Sequence, residues 1–175
     1  TTYVGEFMQN FRESNLSYQI RSADDSVMSS NTRVTLKFDQ VSSDGVVDLY
    51  KWSYGNQIFH PEDGFKNTTG GVFYSNTFNK KGETLPHGFD DDGYGNIRLY
   101  KLVDETKIYV SEQAGTINYE TGEVEVLFEF NPEVGQTISF YAIPDSVDVL
   151  AENNTILQVA ADESLVQVLD KNATA

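Results

Sequence analysis

The sequence predicts a mostly β protein of antiparallel sheets and hairpins, with long loops and a short N-terminal helix. Three observations predict it. Apolar and polar residues alternate over strand-length runs, most clearly at Val34, Leu36 and Phe38 and again at Val124, Val126, Phe128 and Phe130. Gly-containing turn chemistry separates these runs. The aromatic residues are Phe (11) and Tyr (10) with one Trp, types that suit a pleated, half-buried surface.

The elements follow in order. Val4, Phe7, Met8 and Phe11 recur at helical spacing, so a helix is expected over Thr2 to Glu13, ended by Ser14-Asn15. Leu16, Tyr18 and Ile20 then alternate as in a strand, and Ser22 to Ser30 reads as a polar loop. Strands are expected around Val34 to Phe38 and from Val46 to Tyr54, joined by the turn Ser42-Ser43-Asp44-Gly45. Residues Gly55 to Gly88 read as long loops around one short strand near Val72 to Phe78. Asp90 to Asn96 reads as a sharp turn, followed by a strand from Ile97 to Val103 and another from Lys107 to Ser111.

The strongest local signal is a hairpin, Gly115 to Phe130. Glu120-Thr121-Gly122 makes its turn, with Gly122 supplying the positive φ of a type I turn plus bulge. Period two then places Val124, Val126, Phe128 and Phe130 on the buried face and Glu123, Glu125 and Glu129 on the wet one. Asn131-Pro132 stops that strand, and Thr137 to Ile143 is the next. Ile156 to Val159 and Leu165 to Leu169 read as two short final strands. The 175 residues form one structural unit, with a division into an irregular β half (1–88) and a hairpin half (89–175) left open. The chain lacks an initiator Met and reads as a piece of a longer protein.

Composition limits function. Lys plus Arg number 12 against 27 Asp plus Glu, a formal net charge of −15. Such a chain repels phosphate, so neither nucleic acid nor an anionic membrane is expected as a partner; the charge favours solubility, or a partner with a basic face. Without cysteine there are no disulfides or thiolate metal sites. No apolar run approaches the roughly 20 residues that span a bilayer.

Candidate chemistry is sparse. His60 and His87 have no Ser and Asp in a recognisable nucleophile setting and read as ordinary loop histidines. Asp90, Asp92 and Asn96 suggest a calcium loop, but Gly93 comes too early for that pattern, so a solvated turn is expected. Glu123, Glu125 and Glu129 share a face that faces water, where no carboxyl acquires a raised pKa. No catalytic, cofactor-binding or metal-ligating residue is assigned, and no cofactor.

The run Gly115-Thr116-Ile117-Asn118-Tyr119-Glu120-Thr121-Gly122-Glu123-Val124 is more specific than a generic hairpin. Upstream stands Asp91-Asp92-Gly93-Tyr94-Gly95-Asn96-Ile97-Arg98-Leu99-Tyr100. Downstream stand Ala142-Ile143-Pro144-Asp145, Asp148-Val149 and Asn153-Asn154-Thr155-Ile156-Leu157. Together, over roughly residues 90 to 170, this resembles the C-terminal part of the baseplate wedge proteins of T-even-like contractile-tailed phages, the products of gene six. Asn31 to Phe38 adds weaker support, and His60 to Lys81 matches no pattern of that family.

The resemblance implies a virion protein of the tail baseplate, assembled in the host cytoplasm and without enzymatic activity. It implies pairing with a second copy, as a homodimer, and contact with other baseplate proteins. Two rivals remain: a carbohydrate-binding β-sandwich using Trp52, Tyr54, Phe73 and Tyr74 as a stacking platform, and a hydrolase using acidic residues.

Overall fold

The structure, a computed structural model, describes residues 12–23, 33–42, 49–60, 71–127, 132–146, 148 and 149. The fold is mostly β. Among the described residues, one helix, α1 (Glu13–Ala23), precedes nine strands. These are β1 (Leu36–Val41), β2 (Leu49–Ser53), β3 (Phe73–Ser75), β4 (Phe78–Asn79), β5 (Pro86–Asp91), β6 (Asn96–Val103), β7 (Thr106–Ile117), β8 (Glu123–Leu127) and β9 (Thr137–Ala142). They form one antiparallel sheet in the order β1-β9-β3-β5-β6-β7-β8-β2, with β4 paired to β5. Strands from both sides of residue 88 share this sheet, and β5 runs across that position.

The sheet curls back on itself. Its outermost strands in the order, β1 and β2, meet through Phe38 and Trp52, whose rings stack with centroids 4.4 Å apart. Trp52 also lies 4.9 Å from Phe140, which packs 5.7 Å from both Phe73 and Phe89. Phe73, Phe89 and Phe140 are fully buried, as are Ile97, Leu99, Val126 and Ile138. Large apolar side chains of this kind stabilise by about 1.5–3 kcal/mol each when fully buried, so this aromatic chain favours the curl.

The hairpin lies in the expected register. Val124 and Val126 are buried, Glu123 is exposed and Glu125 half-buried, with Ile117 paired to Val124. Phe128, Glu129 and Phe130 lie outside the described residues. Gly122 adopts φ +70°, and a Cβ there would stand 2.3 Å from the Asn56 carbonyl oxygen. The expected strand around Val34 to Phe38 is β1, that from Val46 to Tyr54 is β2, and that from Thr137 to Ile143 is β9.

Other expectations are corrected. The helix is Glu13–Ala23, in place of the strand that Leu16, Tyr18 and Ile20 suggest. A five-residue alternation is too short to decide the period, and Leu16 and Ile20 also stand one helical turn apart. The side chain of Asp148 accepts the Glu13 amide at 3.2 Å, capping the first turn from a distant part of the chain. Residues 1–11, with the apolar stripe Val4 to Phe11, lie outside the described residues, as do the expected strands Ile156 to Val159 and Leu165 to Leu169.

The expected strand Lys107 to Ser111 and the first arm of the hairpin are one strand, β7. An irregular register opposite Leu99 lets it stay paired with β6. The region before Gly88 holds β3, β4 and the start of β5, which Pro86 opens at the one strand position a proline tolerates well.

Gly115 is needed for space. A Cβ on it would meet the Glu125 carbonyl oxygen at 2.2 Å and the Val126 Cα at 3.1 Å. Gly115→Ala is therefore expected to push β7 and β8 apart and to cost about 1–3 kcal/mol. Urea unfolding of the variant measures this, and an unchanged midpoint would contradict the close strand approach.

Candidate functional site

Asp90, Asp91 and Asp92 are neighbours in sequence with three separate tasks. The solvated turn expected over Asp90 to Asn96 is confined to Asp92 to Gly95, because Asp90 and Asp91 belong to β5 and are fully buried. Strand alternation sends their side chains to opposite faces. Asp91 turns inward. Its Oδ1 accepts the amides of Val72 and Phe73, both at 3.0 Å, and its Oδ2 accepts the Tyr119 hydroxyl at 2.8 Å. One carboxylate thus ties the entry of β3 to the hairpin.

Asp90 turns outward, under a lid of cations and rings. Its Oδ1 accepts Arg98 Nε at 3.0 Å, and its Oδ2 accepts Lys107 Nζ at 2.8 Å and the Tyr109 hydroxyl at 3.1 Å. The Arg98 guanidinium lies 4.1 Å from the Tyr109 ring centre, and Lys107 Nζ lies 4.4 Å from that of Tyr100. Burial, together with the Asp90 charge, pushes the Tyr109 hydroxyl up to about 12.

Asp92 holds the turn itself. Its Oδ1 accepts the amides of Tyr94 at 2.7 Å and Asn96 at 3.0 Å, while Oδ2 accepts the Asn96 side chain at 2.7 Å. Burial works against its charge, but these hydrogen bonds outweigh it and hold the carboxyl below the usual range. Asp90, Asp92 and Asn96 therefore do not converge as a calcium set. Among the described residues, no three His, Asp or Glu side chains gather around a metal-sized space.

The Asp92–Gly95 turn lies beside the tip of the β7–β8 hairpin, with the Ile117 amide donating to the Gly95 carbonyl at 3.0 Å. The tip is rigid. Asn118 Oδ1 accepts the amides of Glu120 at 3.0 Å and Thr121 at 3.1 Å, and the Asn118 carbonyl accepts the Gly122 amide at 2.9 Å. Residues 54–60 run along it: the Tyr54 amide donates to Gly122 and the Ile58 amide to Tyr119.

Two shallow clefts flank this tip and share Glu120. One, of about 470 Å³, is lined by His60, Tyr94, Ile117, Asn118, Tyr119 and Glu120, together with Gly93 and Gly95. The other, of about 330 Å³, lies between Asn56, Gln57, Thr121, Ser146 and Asp148. In the first, the His60 ring stacks on Tyr119 at 4.5 Å, and its Nε2 lies 3.1 Å from the Gly93 carbonyl oxygen.

His87 is no loop residue. It sits in β5, fully buried beside Phe78, with centroids 6.2 Å apart. Its Nε2 lies 3.3 Å from a Glu83 carboxylate oxygen but off hydrogen-bonding geometry, and neither ring nitrogen has a hydrogen-bond partner among the described residues. Burial holds its pKa below the usual value, with Glu83 opposing that shift.

The sign follows. Unfolded His87 takes up a proton near pH 6.5, whereas the folded one resists, so stability is full above that pH and falls as pH drops below it. Melting temperatures between pH 8 and pH 5 are expected to fall more steeply for the wild type than for His87→Leu. Equal slopes would contradict a buried neutral imidazole.

The expected stacking platform is not assembled. Phe73 is fully buried, Trp52 and Tyr54 pack against the core, and the Tyr54 hydroxyl donates to the Phe140 carbonyl at 3.1 Å. Tyr74, 40% exposed, stacks instead on Tyr141 on the outer face, with centroids 5.2 Å apart. Glu123 is exposed, and Glu125 pairs with Lys51.

The residues that the sequence reading missed are Arg98, Lys107, Tyr109 and Tyr119. A signal for one of them existed: a turn at Gly93 and Gly95 puts Asp90 opposite Arg98, the register observed. No family model, curated protein or solved structure matches the chain.

Proposed function

We propose that this chain is a structural component of a contractile-tail baseplate, of the wedge-protein kind, which works by binding a second copy of itself and neighbouring baseplate proteins. One observation carries the reading. The segments that bear the resemblance, Asp91 to Tyr100, Gly115 to Val124 and Ala142 to Asp145, are distant in sequence yet meet at one end of the sheet. Ile117 joins the first two through the Gly95 carbonyl, and residues 57–59 join the last two. The Ile58 amide donates to Tyr119 at 2.8 Å, the Phe59 amide to Ile143 at 2.9 Å and the Asp145 amide to Gln57 at 2.9 Å. A rigid, shaped and acidic end suits a protein contact, because it need not be ordered on binding.

Ultracentrifugation across a salt series tests the reading. With a net charge of −15, self-association is expected to strengthen as rising salt screens repulsion between copies. A strict monomer at high micromolar concentration and moderate salt would remove self-pairing. The Tyr74–Tyr141 stack favours a second reading, sugar binding on the outer face. Specific signals on a glycan array, lost in Tyr74→Ala, would move the assignment there.

A further inference from the structure

The cleft between the Asp92–Gly95 turn and the hairpin tip has the chemistry of a pocket for a cation. Its walls are aromatic: Tyr94 is 68% exposed, and the His60 ring stacks on Tyr119 of the hairpin tip. Its rim carries Glu120, an exposed carboxylate with no ion pair among the described residues. The backbone that carries it is tied down, since the Glu120 amide donates to Asn118 Oδ1 and the neighbouring Tyr119 hydroxyl donates to Asp91.

From this geometry we infer that the cleft receives a lysine or arginine side chain of a partner protein, with the alkyl stem or guanidinium plane against the rings and the charged head at Glu120. The inference rests on the assembly reading above and names the chemistry of its partner.

Three physical arguments select a cation. Aromatic faces attract cations through their quadrupole, and arginine also stacks on them flat. A carboxylate beside such faces, on a hydrogen-bonded turn, supplies the counter-charge. The net charge of −15 raises the local concentration of basic partners and repels acidic ones. The neighbouring cleft, with Asp148 on its wall, extends the same acidic surface past Glu120, so a basic segment longer than one residue also fits.

The test uses the intact chain labelled with ¹⁵N, and arginine amide, lysine amide and citrulline amide as probes. Citrulline keeps the shape of arginine without its charge. Arginine amide is expected to shift the amides of residues 93–95 and 117–120 saturably, and citrulline amide is not. Glu120→Gln keeps the size of the side chain and removes its charge, and it is expected to weaken the arginine response by about two- to fivefold, as is Tyr94→Ala. Equal responses to arginine and citrulline, or shifts scattered over the whole acidic surface, would overturn the inference. Ultracentrifugation of Glu120→Gln separates the two proposals. Self-association retained while the arginine response was absent from the wild type would sink the cleft and keep the assembly. An arginine response in a strict monomer would do the reverse.

Discussion

Asp91→Ala is expected to lower the stability of the fold by about 3–5 kcal/mol, more than any surface change. The substitution removes one carboxylate and orphans three donors at once: the amides of Val72 and Phe73 and the hydroxyl of Tyr119. An unsatisfied buried donor costs about 1–3 kcal/mol, and Asp91 is only 1% exposed, so water cannot replace it without opening the sheet. Asp91→Asn keeps one acceptor oxygen for the two amides and is expected to cost about half as much. Urea unfolding of both variants gives the comparison. A change within about 0.5 kcal/mol for Asp91→Ala would mean that the bridge between β3 and the hairpin carries no stability.

Asp90→Ala is expected to have a comparable effect for a different reason. Arg98 is 7% exposed and keeps its charge when its partner is removed, and breaking a buried ion pair from one side costs about 3–5 kcal/mol. Lys107 is less affected, since its half-exposed side chain can reach water. Replacing both members, Asp90→Leu with Arg98→Met, is expected to recover most of the loss, because two apolar groups leave no stranded charge. A second readout is independent of stability. With the Asp90 charge gone, the Tyr109 hydroxyl should titrate below its present value of about 12. Absorbance titration of the folded variant detects the shift, and an unmoved Tyr109 would place the cause in burial alone.

These two residues mark the boundary of what was legible in the sequence. Pattern reading treats an acidic run next to glycine as solvated, because aspartate rarely enters a core unpaired. That holds for Asp92, which caps its own turn through local hydrogen bonds. It does not hold for Asp90 and Asp91, whose partners are brought in by strand pairing. Lys107 and Tyr109 arrive from β7, Tyr119 from the hairpin tip, and the Val72 and Phe73 amides from β3. Nothing local announces such partners.

The sequence by itself determined the mostly β class, the turn at Glu120-Thr121-Gly122, the alternation of Val124 and Val126 against Glu123, and the strands at Leu36–Val41, Leu49–Ser53 and Thr137–Ala142. Each is a local matter of side-chain period or of a backbone angle that only glycine adopts cheaply. Tertiary structure alone decided the rest. It brought the cap from Asp148 to the helix at Glu13–Ala23, buried Phe73 with Trp52 packed against it, and left Tyr74 outside. It also placed the turn, the hairpin tip and residues 54–60 around shared clefts. The physical reason is one of range: a strand's period is written in neighbouring residues, whereas a buried charge or a cleft depends on which strands the sheet brings side by side.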